Sequence, residues 1–145
     1  MNIEIEELTT QAGWEEAYPV MHELRLHLDR DAYLALIEQM VPEGYRLFAL
    51  RGDGAIVSLA GIAVMTNFYH GRHVWVYDLV TAEAARSQGH GEALLSFIER
   101  FAVAEGCVNV ALASGVQRVD AHRFYQERMG YERASWCFVK GLGDA

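Results

Sequence analysis

Apolar and polar positions change rhythm several times along the chain. Residues 1–8 alternate, with Ile3 and Ile5 set against Glu4 and Glu6, the period of two expected of a half-buried strand at or near a sheet edge. The period then lengthens: Trp14, Tyr18, Met21, Leu24 and Leu28 recur at steps of three and four. This stripe predicts a helix packed on a sheet, capped by Thr9 or Thr10 and kinked or restarted at Pro19. Tyr33, Leu34, Ile37 and Met40 predict a second, shorter helix, capped by Asp29 or Asp31 and ended around residues 42–44. Three strand-like runs follow, over residues 45–51, 55–65 and 73–81; Gly52-Asp53-Gly54 between the first two is a hairpin signal, so the middle of the chain reads as an antiparallel meander.

Leu94, Leu95, Ile98, Phe101 and Ala102 then predict a helix that stops at Gly106, and Val108, Val110 and Leu112 a further strand. A strand, crossover helix and strand make that strand parallel to the run over 73–81, so the sheet is mixed and the fold class α/β. A last helix over 120–128, ended by Gly130, and a last strand over 131–139 complete the pattern. The 145 residues fit one domain, 1–145, large enough to bury most of its apolar surface without staples.

Between the run at 73–81 and the long helix lies Arg86-Ser87-Gln88-Gly89-His90-Gly91. The first turn of a helix has about four backbone N–H groups without internal partners and the positive end of the peptide dipoles, so an anion is its natural partner. Gly89 and Gly91, without Cβ atoms, let the backbone approach a phosphate closely, and Arg86 adds a charged fork. The loop lacks the Gly-Lys-Ser/Thr ending of a P-loop and the glycine spacing of a dinucleotide fingerprint. Taken alone, it fits a tight turn before an ordinary helix equally well.

The formal charge of −8, from 12 Lys and Arg against 20 Asp and Glu, argues against a nucleic-acid partner and mildly favours a cationic substrate such as an amine. No apolar run approaches the ~20 residues needed to span a bilayer, and the first residues do not read as a signal peptide, so a cytoplasmic protein without membrane partners is expected. Cys107 and Cys137 lie in apolar strand-like runs and read as buried free thiols.

Two motifs in this order of elements, residues 86–91 after the central strand and Ala121-His122-Arg123-Phe124-Tyr125-Gln126-Glu127-Arg128-Met129-Gly130-Tyr131 near the end, resemble the GCN5-related N-acetyltransferase superfamily across nearly the whole chain. The resemblance implies a mixed, mostly antiparallel sheet flanked by about four helices, with splayed parallel strands binding CoA. It further implies an acetyl-CoA-dependent N-acetyltransferase working by direct attack of an amine in a ternary complex, with acetyl-CoA as cosubstrate and no metal. The amides around Gln88, Gly89, His90, Gly91 and Glu92 would bind the CoA pyrophosphate, with Arg86 nearby, and the backbone of Leu79, Val80 and Thr81 would pair with the pantetheine arm. Tyr125 stands at the general-acid position: a phenol of pKa near 10 can protonate the departing thiolate. Asp78 matches a common acidic position, either as the base that takes the amine's proton or as a structural hydrogen-bond acceptor. A strand amide near Leu79 is a candidate for holding the oxyanion.

Several positions depart from the family. Tyr77 stands where Glu is common, which leaves a water-relayed proton route open, and Arg118 stands where Asn is common, where it could instead meet an anionic part of the acceptor. His70, His73 and His122 read better as surface or helix-face residues than as catalysts. One strand, not two, fits after the last helix, and the open edge this leaves predicts a homodimer with exchanged C-terminal strands as one form. The acceptor is a small-molecule or peptide amine; alternatives are transfer of another acyl group, a non-catalytic acyl-CoA sensor, or a lysine or N-terminal protein acetyltransferase. The two N-terminal helices, by elimination, and residues 29–44 and 66–71 are candidate acceptor elements.

Overall fold

Strands β1 (Ile3–Leu8), β2 (Arg46–Gly52), β3 (Ala55–Asn67), β4 (Gly71–Thr81) and β5 (Asn109–Leu112) lie side by side in that order in the computed structural model, which describes residues 2–143. The first three pairings are antiparallel and the fourth, β4 with β5, is parallel. Helix α3 (His90–Ala104) makes the crossover between the two parallel strands. The mixed sheet expected from the sequence is therefore the one formed. Asp53 and Gly54 turn between β2 and β3 with φ of 52° and 87°, the positive values that a two-residue primed turn requires.

Helices α1 (Gln11–Leu24) and α2 (Arg30–Met40) start where the sequence offers caps: Gly13 N donates to Thr10 Oγ1 at 3.2 Å and Ala32 N to Asp29 Oδ1 at 2.8 Å. Ala17, Val20 and Met21 of α1 and Tyr33 and Ile37 of α2 share a core with Leu47 and Ala49 of β2, Leu59 of β3 and Val80 of β4. The alternate residue of β2, Phe48, meets Phe97 and Phe101 of α3, each at 5.6 Å between ring centroids. The sheet is thus covered by α1 and α2 on one face and α3 on the other, which is why β2 reads as a continuous apolar run. Pro19, expected to kink or restart α1, does not restart it: the helix runs through it to Leu24. Packing of the apolar face over the sheet carries the helix past one missing donor.

The described residues fall into two compact units, the second beginning at Ala113. In it, α4 (Val119–Arg123) passes into a π-helical turn, Phe124–Arg128, closed by Met129 N donating to Phe124 O at 3.0 Å and Tyr131 N to Tyr125 O at 2.8 Å. Gly130, with φ of 77°, ends it as the sequence predicts. The strand expected over 131–139 does not form; residues 132–140 are exposed. Alternation tells which side chains suit a pleat, but a strand needs a ladder with a neighbour, and among the described residues the sheet ladder ends with β5.

Candidate functional site

The middle of β4 carries an irregularity that organises the first unit's candidate residues. Gly61 of β3 pairs with Asp78 while its neighbour Ile62 pairs with Val76, so Tyr77 is an extra residue bulged out of the ladder. β5 pairs only with His73–Val76, so from Tyr77 to Thr81 the edge of β4 turned away from β3 meets no strand among the described residues. Leu79 and Thr81 are half-buried there and Val80 points into the core. The backbone proposed from the sequence to take the pantetheine arm is therefore free of a β5 ladder.

Asp78 is buried beside the bulge, and both its oxygens are engaged. Arg25, at the end of α1, donates Nε to Oδ1 at 2.9 Å and a second guanidinium nitrogen to the Tyr77 carbonyl at 2.7 Å; the Tyr45 hydroxyl donates to Oδ2 at 2.8 Å. Burial, then the Asp78 charge, hold the Tyr45 phenol well above its ordinary pKa of 10.0, so it stays a donor. A Cβ at Gly61 would run into the Tyr45 hydroxyl and ring, so glycine is the residue that lets Tyr45 reach Asp78. Neither Arg25 nor Tyr45 stood out in the sequence. The signal available was Asp78 itself, a carboxylate in an apolar strand that had to find donors.

Beyond β4, a 3₁₀ turn (Glu83–Ala85) leads into the glycine loop. Ser87 and Gly89 take φ of 65° and 82°, and α3 opens at His90, two residues before the sequence places it, so Gly91 lies inside the first turn. No side chain caps this helix. Its first internal bond runs from Ala93 N to Gly89 O at 3.0 Å, and the amides ahead of it are the donors that a helix start presents to an anion. Gln88 is exposed, Glu92 is half-buried in the first turn, and His90 is buried with no hydrogen-bond partner for Nε2. Arg86 is exposed, with Nε donating to Thr81 O at 3.3 Å and a terminal nitrogen 4.0 Å from Glu23. Residues 78–91 of the sequence-based set thus form one continuous path along β4, the loop and the start of α3.

In the second unit Tyr125 is buried in the π-helical turn. Burial raises its pKa above 10.0, while the charge of Arg118 and a hydrogen bond from it pull the other way by favouring the phenolate. Arg118 therefore meets Tyr125, a partner the sequence did not assign. His122 is half-buried, with Nε2 2.9 Å from Gly115 O.

Two expectations are corrected. His73 is not a surface residue: it is buried in β4, its Nδ1 2.8 Å from the Gly71 carbonyl. Cys137 is exposed and Cys107 half-buried, because the run holding Cys137 forms no strand. Residues 66–71 span the end of β3, the turn at 68–70 and the first residue of β4. Among the described residues no three His, Cys, Asp or Glu side chains gather in a metal-holding group, and no helix is long and apolar enough to cross a membrane.

The sequence model of the acetyltransferase (GNAT) family matches residues 8–131. The chain is 42% identical over 139 residues to the uncharacterised N-acetyltransferase YhdJ of Bacillus subtilis (strain 168), covering 95% of this chain and 98% of that one. It is 30% identical over 122 residues to the aminoalkylphosphonate N-acetyltransferase of Salmonella typhimurium, covering 83% and 77%. An aminoglycoside N-acetyltransferase solved in complex with CoA superposes with a TM-score of 0.84 at 17% identity, covering 98% of this chain and 96% of that one.

Proposed function

The chain belongs to the GNAT family of N-acetyltransferases, and from that premise we propose that it moves an acetyl group from acetyl-CoA to the primary amine of a small molecule. The observation that carries the cosubstrate is the uncapped start of α3, with Ser87 and Gly89 in the left-handed region, set directly after the half of β4 that lacks a β5 partner. A pyrophosphate suits the first and an extended amide-bearing arm suits the second. The relative solved with CoA supports the same cosubstrate.

In this reading the amine attacks the thioester directly within a ternary complex. The new C–N bond leaves a tetrahedral oxyanion, which a backbone amide of β4 near Leu79 holds. Collapse breaks the C–S bond, and Tyr125 protonates the CoA thiolate, Arg118 stabilising the phenolate that results. Asp78, engaged by Arg25 and Tyr45, is a poor direct base; it holds the bulge, and water removes the amine's proton. The small amines named for relatives, an aminoalkylphosphonate and an aminoglycoside, favour a small acceptor over a protein, and the charge of −8 favours a cationic one, as an aminoglycoside is and an aminoalkylphosphonate is not. An exposed free thiol at Cys137 suits the cytoplasm.

The test is thiol release from acetyl-CoA against aminoalkylphosphonates, aminoglycosides, polyamines, amino sugars and lysine peptides, beside calorimetric titration with acetyl-CoA. Binding with release on one small-amine class is expected. Release on peptides alone would move the reading to a protein acetyltransferase. Binding without release on any amine would leave only a CoA-binding module.

A further inference from the structure

From Tyr77 to Thr81, β4 is laddered to β3 alone among the described residues, since β5 stops pairing at Val76, and the bulge at Tyr77 bends the strand at that point. A strand paired along one edge takes its path from whatever else grips it. Both ends of this half are gripped by the same short piece of chain, the last turn of α1. At the bulge, Arg25 spans the Tyr77 carbonyl and the Asp78 carboxylate, at 2.7 and 2.9 Å. Past the far end, Glu23 accepts from Glu83 N at 2.8 Å, a contact between residues 60 apart in sequence.

Each tie has its own chemistry. Glu83 opens the 3₁₀ turn that leads into the glycine loop, and the residue ahead of it, Ala82, has no side chain with which to cap that turn. Glu23 supplies the acceptor instead, and it does so with a carboxylate, the stronger kind of hydrogen bond. The same carboxylate lies 4.0 Å from Arg86, the guanidinium offered to the phosphates. Arg25 meets two acceptors with one planar fork, a geometry that a lysine ammonium does not fix. The end of α1 is itself anchored: Val20 and Met21 are buried in one core with Leu59 and Val80, and the Tyr18 hydroxyl donates to Leu28 O at 2.9 Å, holding the chain after Arg25 against the helix.

We propose that Glu23 and Arg25 are positioning residues for acetyl transfer, a clamp on the two ends of the cosubstrate-binding half of β4. The proposal rests on acetyl-CoA being the cosubstrate. Arg25 sets the bulge, and with it the aim of the β4 amides near Leu79 at the oxyanion. Glu23 sets the turn from which the glycine loop and Arg86 reach the diphosphate. The two ties differ in when they matter. The oxyanion exists only in and after the transition state, so loss at Arg25 falls on kcat; the diphosphate is held from first binding onward, so loss at Glu23 falls on affinity for acetyl-CoA.

The full chain and its variants are compared by calorimetric titration with acetyl-CoA, by thiol release with the small amine that wild type uses fastest, and by amide hydrogen exchange. Glu23→Ala should weaken acetyl-CoA binding about tenfold with kcat within about twofold, and Glu23→Gln, which keeps an acceptor for Glu83 N, should stay within about threefold of wild type in both. Arg25→Met should lower kcat at least about tenfold with acetyl-CoA affinity within about threefold, and Arg25→Lys should recover little of it. Exchange should quicken at residues 82–87 in Glu23→Ala and at 77–81 in Arg25→Met. Wild-type affinity and kcat in both Glu23→Ala and Arg25→Met, or losses of both quantities together that follow a fall in melting temperature, would reduce the end of α1 to a purely structural element. A wild type that binds no acetyl-CoA would sink the cosubstrate reading; exchange unchanged at both segments overturns the clamp itself, whether or not acetyl-CoA binds.

Discussion

The carboxylate of Asp78 accepts from Arg25 on one oxygen and from Tyr45 on the other, and this decides how its loss should read. Asp78→Ala strands a buried phenol without an acceptor, at a cost of about 1–3 kcal/mol, to be read as a lowered urea midpoint. Asp78→Asn keeps an acceptor for Tyr45, so turnover should stay within about tenfold of wild type and the acidic limb of the kcat/KM profile should persist. Disappearance of that limb with the fold intact would make Asp78 the base. Tyr125 belongs to the other proton transfer. Tyr125→Phe should lower kcat by about 10²–10⁴ while calorimetric affinity for acetyl-CoA is kept. The Tyr125 phenol sits above 10.0 because burial outweighs Arg118, so it remains protonated through neutral pH, and any loss of activity from its ionisation comes only above pH 10. Arg118→Met removes the group that favours the phenolate; it should push that loss to still higher pH and slow turnover less than Tyr125→Phe does.

At the scale of elements, two glycines separate a packing role from a backbone role. Gly61→Ala drives a Cβ into Tyr45 and should cost about 1–3 kcal/mol of stability, breaking the Asp78 contact as it does so. Gly89→Ala meets open space, so its cost is the left-handed φ alone, about 1–2 kcal/mol, and its larger effect should be a raised KM for acetyl-CoA as the loop shifts. Arg51 ties β1 and α1 to β2, donating to Glu6 at 2.6 Å and to Glu16 at 2.6 and 2.9 Å. That hydrogen bond holds the Glu16 carboxyl below 4.5, so its contribution is present above that pH and is lost as pH falls beneath it. Glu16→Gln should therefore lower stability near neutrality, by less than about 1 kcal/mol for so exposed a pair, and the gap to wild type should close in acid. The elements themselves were legible where one signal sufficed. Thr10 and Asp29 cap as read, and Asp53-Gly54 turns as read. The signal failed where a second segment had to supply the partner: the bulge at Tyr77 depends on register with Gly61, Asp78 on Arg25 from 53 residues away, and residues 131–139 on an edge that sequence cannot allot.

For the molecule as a whole, the charge of −8 sets two requirements against each other, since the acceptor proposed is a cation and acetyl-CoA is an anion. The overall field draws the amine in and opposes the cosubstrate, which must be held by local donors: the start of α3 and the Arg86 guanidinium. Long-range terms fade with salt because the screening length is about 10 Å at 0.1 M and about 3 Å at 1 M, whereas hydrogen bonds at contact persist. For a polyamine acceptor, kcat/KM measured at saturating acetyl-CoA should fall steadily as salt rises. For a singly charged amine of similar size the fall should be shallower, in proportion to its charge. Equal salt slopes for the two would mean that the acidic surface serves solubility and takes no part in gathering the acceptor. The difference in slope is thus a measure of how much of the protein's acidity faces its substrate, obtained without knowing which amine the protein serves.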